Sequence, residues 1–266
     1  MVARRSRPDT PAAPLGEDLR GRLDERTREL EECEAGLRRL EEQGARFLAA
    51  AAHAVVNPLT IANSYLDLVI SELDDGLSDD QRAFIRAAHD ATRRMRLLID
   101  ELIELASLET GAAAIRQDAV PCAELVQTVL AKLQAEDSCS GVTVECGLDP
   151  AIPPAAADAV RLEGALRRLL ERAIRVTPAG GAVELGASLE GGGLSIRVRD
   201  AGADLSAQQR AEVFDPVVQL GAGPGERSQG LALAVAQRQV RACGGTLEVA
   251  SQTGSGSIFT IRLRLA

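Results

Sequence analysis

Aromatic residues are scarce in this chain of 266 residues, which has no tryptophan, one tyrosine and four phenylalanines. Its core must therefore be aliphatic, and any nucleic-acid mode that stacks bases on aromatic rings lacks its platforms. Positive charge is also in deficit: a net charge of −9 argues against phosphate-backbone binding as the main task, so no nucleic-acid partner is expected. The five cysteines (Cys33, Cys122, Cys139, Cys146, Cys243) are odd in number, scattered and never in a C-x-x-C pair. That excludes an encoded disulfide framework or thiolate metal site and fits a reducing, cytoplasmic setting. No uninterrupted apolar run approaches the ~20 residues that span a bilayer, and the N-terminus lacks the apolar segment of a signal peptide, so no membrane insertion is expected. Only two histidines occur, His53 and His89.

With 45% hydrophobic and 26% charged residues the composition is globular, and the length suggests roughly two domains. Residues 1–18, rich in Pro, Arg and Ala, read as a disordered leader. From Leu19, apolar positions at Leu23, Leu30, Cys33, Leu37, Leu40 and Phe47 recur by four and three, as in a short coiled coil over residues 19–46; Arg26 and Gly44 interrupt its seam. The pattern resumes after Pro58 as Leu59, Ala62, Leu66, Val69 and Leu73 and stops at Asp74-Asp75-Gly76. Ser78-Asp79-Asp80-Gln81 reads as a capping box opening a second helix, whose stripe runs Phe84, Ala88, Ala91, Met95, Leu98, Leu102 and Leu105 toward Gly111. The two helices form a hairpin over 47–111, and a single copy cannot bury its apolar stripes. A homodimeric four-helix bundle is the economical solution.

His53 sits inside the first of these helices, in Ala51-Ala52-His53-Ala54-Val55-Val56-Asn57-Pro58. Proline lacks the N–H donor and its ring presses on the carbonyl of Ala54, so a kink within a turn of His53 is expected. The heptad rows pass through positions 51 and 54, which turns His53 outward, away from the seam. His89 lies next to Ala88 with no motif around it and reads as a solvated surface residue. Beyond residue 112 the pattern is mixed. Helices are expected at 120–134, 159–176, 206–214 and 231–242, and strands at 142–146, 182–189, 194–199, 246–250 and 257–265, with a glycine-rich loop at 221–230. These imply an α/β sandwich, one mixed sheet covered by helices, following the helical hairpin in an α+β multidomain chain.

From about residue 20 to the end the chain resembles the transmitter region of two-component sensor histidine kinases. His53-Ala54-Val55-Val56-Asn57-Pro58-Leu59 matches the family's phosphoacceptor motif His-Glu-x-x-Thr/Asn-Pro-Leu, in the dimerisation and histidine-phosphotransfer hairpin. The region 112–266 resembles the Bergerat-type ATP-binding domain. Arg161 to Gly181 lies at the asparagine-containing box, and Asp200-Ala201-Gly202-Ala203-Asp204 at Asp-x-Gly-x-Gly. Val213-Phe214-Asp215-Pro216 lies at the phenylalanine box, Ser228-Gln229-Gly230-Leu231-Ala232-Leu233-Ala234 at Gly-x-Gly-Leu-Gly-Leu-Ala, and Thr253 to Phe259 at the last glycine box. The resemblance implies a phosphoacceptor at His53, a water-orienting Asn57, and nucleotide contacts from Asp200, which reads adenine, with Gly202, Gly230, Gly254 and Gly256.

The departures fall on the chemistry. The acid that polarises the histidine in the family is here Ala54. Arg172 stands where the family's asparagine holds Mg²⁺ through an oxygen, and a guanidinium has no acceptor to offer a metal. Arg168 replaces a second common asparagine one turn earlier. Hence no metal site and no Mg²⁺ use in the usual manner are expected, and ATP binding is doubtful. Arg161, Arg168, Arg172 and Arg175 share one helical face and would repel one another unless anions answer them. Three readings follow: a solvated basic face, an internal plug in which Arg172 pairs with Asp200 or Asp204, or a metal-free phosphate site using Arg172 and Arg175. The opposite signs of Arg172 and Asp204 favour the plug. The resulting expectation is a degenerate family member, a pseudokinase or phosphotransfer or phosphatase-type partner of a response-regulator receiver domain. Its alternatives are an active ATP-dependent kinase and a non-catalytic docking scaffold.

Overall fold

The computed structural model describes residues 13–72, 76–109, 116–136, 141–148, 151–221, 231–251 and 254–266. Two long helices lead: α1 (Ala13–Glu72) and α2 (Asp79–Glu109). At 60 residues and 1.5 Å per residue, α1 is about 90 Å long. It starts within the stretch expected to be an unstructured leader, and it runs through Pro58 without interruption. At the positions expected for a coiled coil, Leu23, Leu30 and Leu40 are about two-thirds exposed. The expected capping box opens α2: Gln81 N–H donates to Ser78 Oγ at 3.3 Å, and Ser78 N–H to Gln81 Oε1 at 2.8 Å.

After Pro58 the hairpin seam includes Leu59 as expected, but before it the seam differs by one position from the expected heptad rows: Ala52 is buried, whereas Ala51 and Ala54 are exposed. Helix α1 packs on α2 of its own chain. A polar ladder joins the two helices: Thr60 accepts from Arg96 (3.5 Å), Asn63 from Thr92 (2.5 Å), and Asp67 pairs with His89 (2.9 Å). His89 is therefore not the solvated residue its local sequence suggests. Its side chain is 17% exposed, with Nε2 on Asp67.

The second region alternates elements as β1 (Asp118–Val120), α3 (Cys122–Ala135), β2 (Thr143–Gly147), β3 (Ala155–Ala157), α4 (Ala159–Val176), β4 (Ala182–Glu190), β5 (Gly193–Arg199), α5 (Ala207–Glu212), α6 (Pro216–Gly221), α7 (Ala232–Ala242), β6 (Thr246–Ser251) and β7 (Ser257–Arg264). The main sheet has the order β2-β4-β5-β7-β6, parallel only between β2 and β4, and is thus mixed as expected. A second, two-stranded sheet, β1-β3, was not foreseen. Along β7, Phe259, Ile261 and Leu263 point inward while Ile258, Thr260, Arg262 and Arg264 alternate outward, so one face of the sheet is covered. The covering face comes from α3, α4 and α7, with Val126, Val129, Leu133, Leu162, Leu166, Leu169 and Val240 in one aliphatic core. Helix α4 begins where Asp158 Oδ1 accepts the N–H groups of Val160 and Arg161 (3.1 and 3.2 Å), and it ends at Thr177, just before Pro178.

Candidate functional site

One end of the sheet gathers most of the nucleotide-site residues expected from the sequence. Asp200 follows β5 directly, and its backbone is fixed by an N–H to the Ser257 carbonyl at 2.9 Å. Both oxygens of its carboxylate have donors. Oδ1 accepts from the N–H groups of Gly202 (2.9 Å) and Ser257 (3.2 Å), and Oδ2 accepts from Arg172 Nη1 at 2.5 Å. Both members of that ion pair are buried, Arg172 at 4% and Asp200 at 1% side-chain exposure. The Arg172 guanidinium also lies 4.5 Å over the Phe259 ring, a cation–π contact. Burial lowers the proton affinity of Arg172, against the charge and hydrogen bond of Asp200, while Arg175 adds a further downward push. Among the described residues, its Nε has no hydrogen-bond partner.

The glycines serve this packing. Gly256 adopts φ +70°, and a Cβ there would meet the Asp200 carbonyl oxygen at 2.0 Å, so the β6–β7 turn closes against Asp200 only without a side chain. Gly202 is similarly tight against Val176. Asp204 does not pair with Arg172, one of the two partners open from the sequence. Its carboxylate instead accepts the N–H groups of Gly254 (2.6 Å) and Gly256 (3.1 Å), and these bonds, with that of Ser255, hold its carboxyl below the usual range. The donors of the last glycine box thus already carry an anion from within the chain. Beside them lies an open cleft of about 310 Å³ that includes Glu184, Arg199, Asp200, Asp204 and Gly254 to Gly256.

Arg161, Arg168, Arg172 and Arg175 of α4 do not form one solvated face. Arg161 pairs with Asp158 (3.7 Å), Arg168 with Glu104 of α2, and Arg172 with Asp200, while Arg175 is exposed and its charge reaches both Arg172 and Glu101. Gly230 lies outside the described residues, as does the side chain of His53, whose backbone is helical. Asn57 is exposed on α1. Among the described residues, no group of three or more His, Cys, Asp or Glu side chains is placed to hold a metal ion. Sequence reasoning missed Glu101, Glu104 and Gln239. Glu104 accepts from Arg168 and from Gln239 Nε2 (2.5 Å), and Glu101 accepts the Leu231 N–H (2.8 Å) at the start of α7. Two acids three apart beside Leu102 and Leu105 were the available signal.

Comparison with known proteins agrees with this architecture. Residues 45–111 match the family model "His Kinase A (phospho-acceptor) domain", and residues 157–266 the model "Histidine kinase-, DNA gyrase B-, and HSP90-like ATPase". Among curated relatives, sensor protein DivL of Caulobacter vibrioides is 29% identical over 92% of this chain and 30% of its own length. Sensor histidine kinase RcsC of Escherichia coli is 27% identical over 89% of this chain and 25% of its own length. The chain thus spans about a quarter to a third of these relatives. Among solved structures, full-length ShkA in complex with AMPPNP superposes with a TM-score of 0.65 at 25% identity, covering 83% of this chain and 46% of ShkA. Acinetobacter baumannii histidine kinase AdeS shares the fold with a TM-score of 0.55 at 21% identity, over 80% of this chain and 98% of that one. No described helix is long and apolar enough to cross a membrane. With the phosphoacceptor-type hairpin, the mixed-sheet domain and both family models in register, the chain belongs to the two-component sensor histidine kinases.

Proposed function

We propose that this histidine-kinase-type signalling protein exchanges phosphate between His53 and the aspartate of a response-regulator receiver domain, with its nucleotide site closed by the Arg172–Asp200 pair. That buried pair is the observation that carries the reading. Adenine recognition needs a carboxylate oxygen free to face the ligand, and each oxygen of Asp200 already has a protein donor. Evicting Arg172 would strand a buried charge at about 3–5 kcal/mol, which weakens a nucleotide by about a hundredfold to a few thousandfold. The residues present do not fit Mg²⁺ either, since a hard cation needs oxygen ligands and the matching position is a guanidinium.

In the transfer proposed, a ring nitrogen of neutral His53 attacks the phosphorus of the receiver's aspartyl phosphate. The N–P bond forms as the acyl P–O bond breaks, and the aspartate leaves as a carboxylate. In the hydrolytic direction Asn57 orients a water that takes the phosphoryl group and releases inorganic phosphate. Neither step needs the acid absent at Ala54, because the receiver supplies an activated donor. A homodimer, with a second copy covering Leu23, Leu30 and Leu40, completes the arrangement. The test is phosphate transfer with a phosphorylated receiver domain: His53→Ala is expected to abolish both label uptake and loss of receiver phosphate, and an undiminished variant would overturn the reading.

A second reading, nucleotide binding, is favoured by the open cleft beside Asp200, by the exposed Arg175, by the ATPase description of the matching family model and by the AMPPNP held in ShkA. It requires Arg172 to leave Asp200 when the ligand enters. A nucleotide titration separates the two.

A further inference from the structure

The contacts between α2 and the mixed-sheet domain form a built device. Glu104 lies between two donors from different elements, Arg168 of α4 and Gln239 of α7, and Arg168 Nη1 also meets Gln239 Oε1 at 3.4 Å. Gln239 is 4% exposed, so its amide depends on these partners. Space for them is left by Gly164: a Cβ there would come within 2.7 Å of Gln239 Nε2 and 3.1 Å of Arg168 Nη1. One turn before Glu104 on the same helix, Glu101 accepts the Leu231 N–H, where the backbone donors at the start of α7 favour an anion. Around this polar bracket, Leu105, Leu231 and Val235 are buried together, with Leu102 and Leu108 packed against them.

The bracket has a definite height on the hairpin. The ladder Asp67–His89, Asn63–Thr92 and Thr60–Arg96 fixes the antiparallel register of α1 and α2. Continued toward the N-terminus of α1, that register sets His53 level with Ile103, between Glu101 and Glu104. We propose that Glu101, Glu104, Arg168 and Gln239 form an interdomain latch that holds the mixed-sheet domain on α2 at the level of His53 and restrains a partner's access to that histidine. Arg168, standing at a box asparagine of the family, is the residue that makes the latch possible, since its charge is what Glu104 answers. Arg168 and Arg172, one turn apart on α4, thus divide two tasks: one ties the domain to the hairpin and the other closes the pocket.

Only the access role rests on His53 being the phosphoacceptor, and the test keeps the two apart. Amide hydrogen exchange of the full chain is followed at the start of α7, where the Leu231 N–H reports the latch directly, for Glu104→Arg, Arg168→Glu and the charge-swapped double variant. Each single variant is expected to raise exchange there at least tenfold, and the double variant to restore protection. Unchanged exchange in the single variants would overturn the latch. Rescue by the swap distinguishes a lost interdomain tie from general unfolding, and a double variant as open as the singles would also count against it. Phosphate exchange with a phosphorylated receiver is then compared. The single variants are expected to be several-fold faster than wild type, and equal rates would overturn the access role. If no variant, wild type included, exchanges phosphate, it is the His53 reading that fails, while hydrogen exchange still decides the latch.

Discussion

At the scale of single residues, Arg172 and Asp200 should have the largest effects on stability. Asp200→Ala leaves a buried guanidinium whose Nε already lacks a partner, and Arg172→Ala leaves a buried carboxylate held only by two backbone N–H groups. Each should cost about 3–5 kcal/mol, because breaking one side of a buried pair exposes its desolvation penalty. Replacing both, as Arg172→Leu with Asp200→Leu, should cost much less than the sum, since a matched apolar pair removes the penalty together with the attraction. Urea unfolding of the three variants measures the coupling. Additive losses would mean that the two side chains do not act as a pair.

At the scale of elements, the limits of α4 were readable to the residue. Asp158 signals its start, and Thr177-Pro178 stops it by chemistry that acts within a few residues. The capping box of α2 was legible for the same reason. What could not be read was anything set by distant partners. β3 is Ala-Ala-Ala, with no alternation to betray a strand, and pairs with β1 some 37 residues away. The neighbours of His89 on its own helix do not point to Asp67, which only folding brings to it. The opposite signs of Arg172 and Asp204 suggested a pairing within the nucleotide boxes, yet spacing could not choose between Asp200 and Asp204; Arg172 pairs with Asp200, and the β6–β7 turn engages Asp204 with its own N–H groups.

Element packing also gives a pH dependence. Burial pushes the Glu101 carboxyl above its ordinary range, with Glu104 adding to the rise, while the Leu231 N–H, Arg168 and Arg175 oppose it. A carboxyl whose folded value is raised contributes stability that is complete below its unfolded value, about 4.3, and is lost as pH rises through the folded value. Glu101→Gln keeps an acceptor for Leu231 without the charge. In paired calorimetric scans the variant should unfold at a higher temperature than wild type at pH 7, with the gap narrowing as pH falls toward 5. A gap that widens on acidification would contradict the sign.

At the scale of the whole molecule, the sequence conveyed the order of parts, a hairpin followed by a mixed-sheet domain, because helical and strand periodicities are written locally along the chain. How the parts meet was not legible: Glu101 and Leu231 are 130 positions apart, and no pattern within either segment names the other. The assembled chain ties its phosphoacceptor-type hairpin to a domain in which Asp200, the carboxylate expected to read adenine, is already paired with Arg172. The central claim is that this occupancy closes the site. A calorimetric titration of the intact protein with ATP, with and without Mg²⁺, tests it most directly: the account predicts no saturable heat and an unchanged unfolding midpoint, since only a ligand of the native state raises that midpoint. Saturable binding with a raised midpoint, followed by stable phosphate on His53, would contradict it.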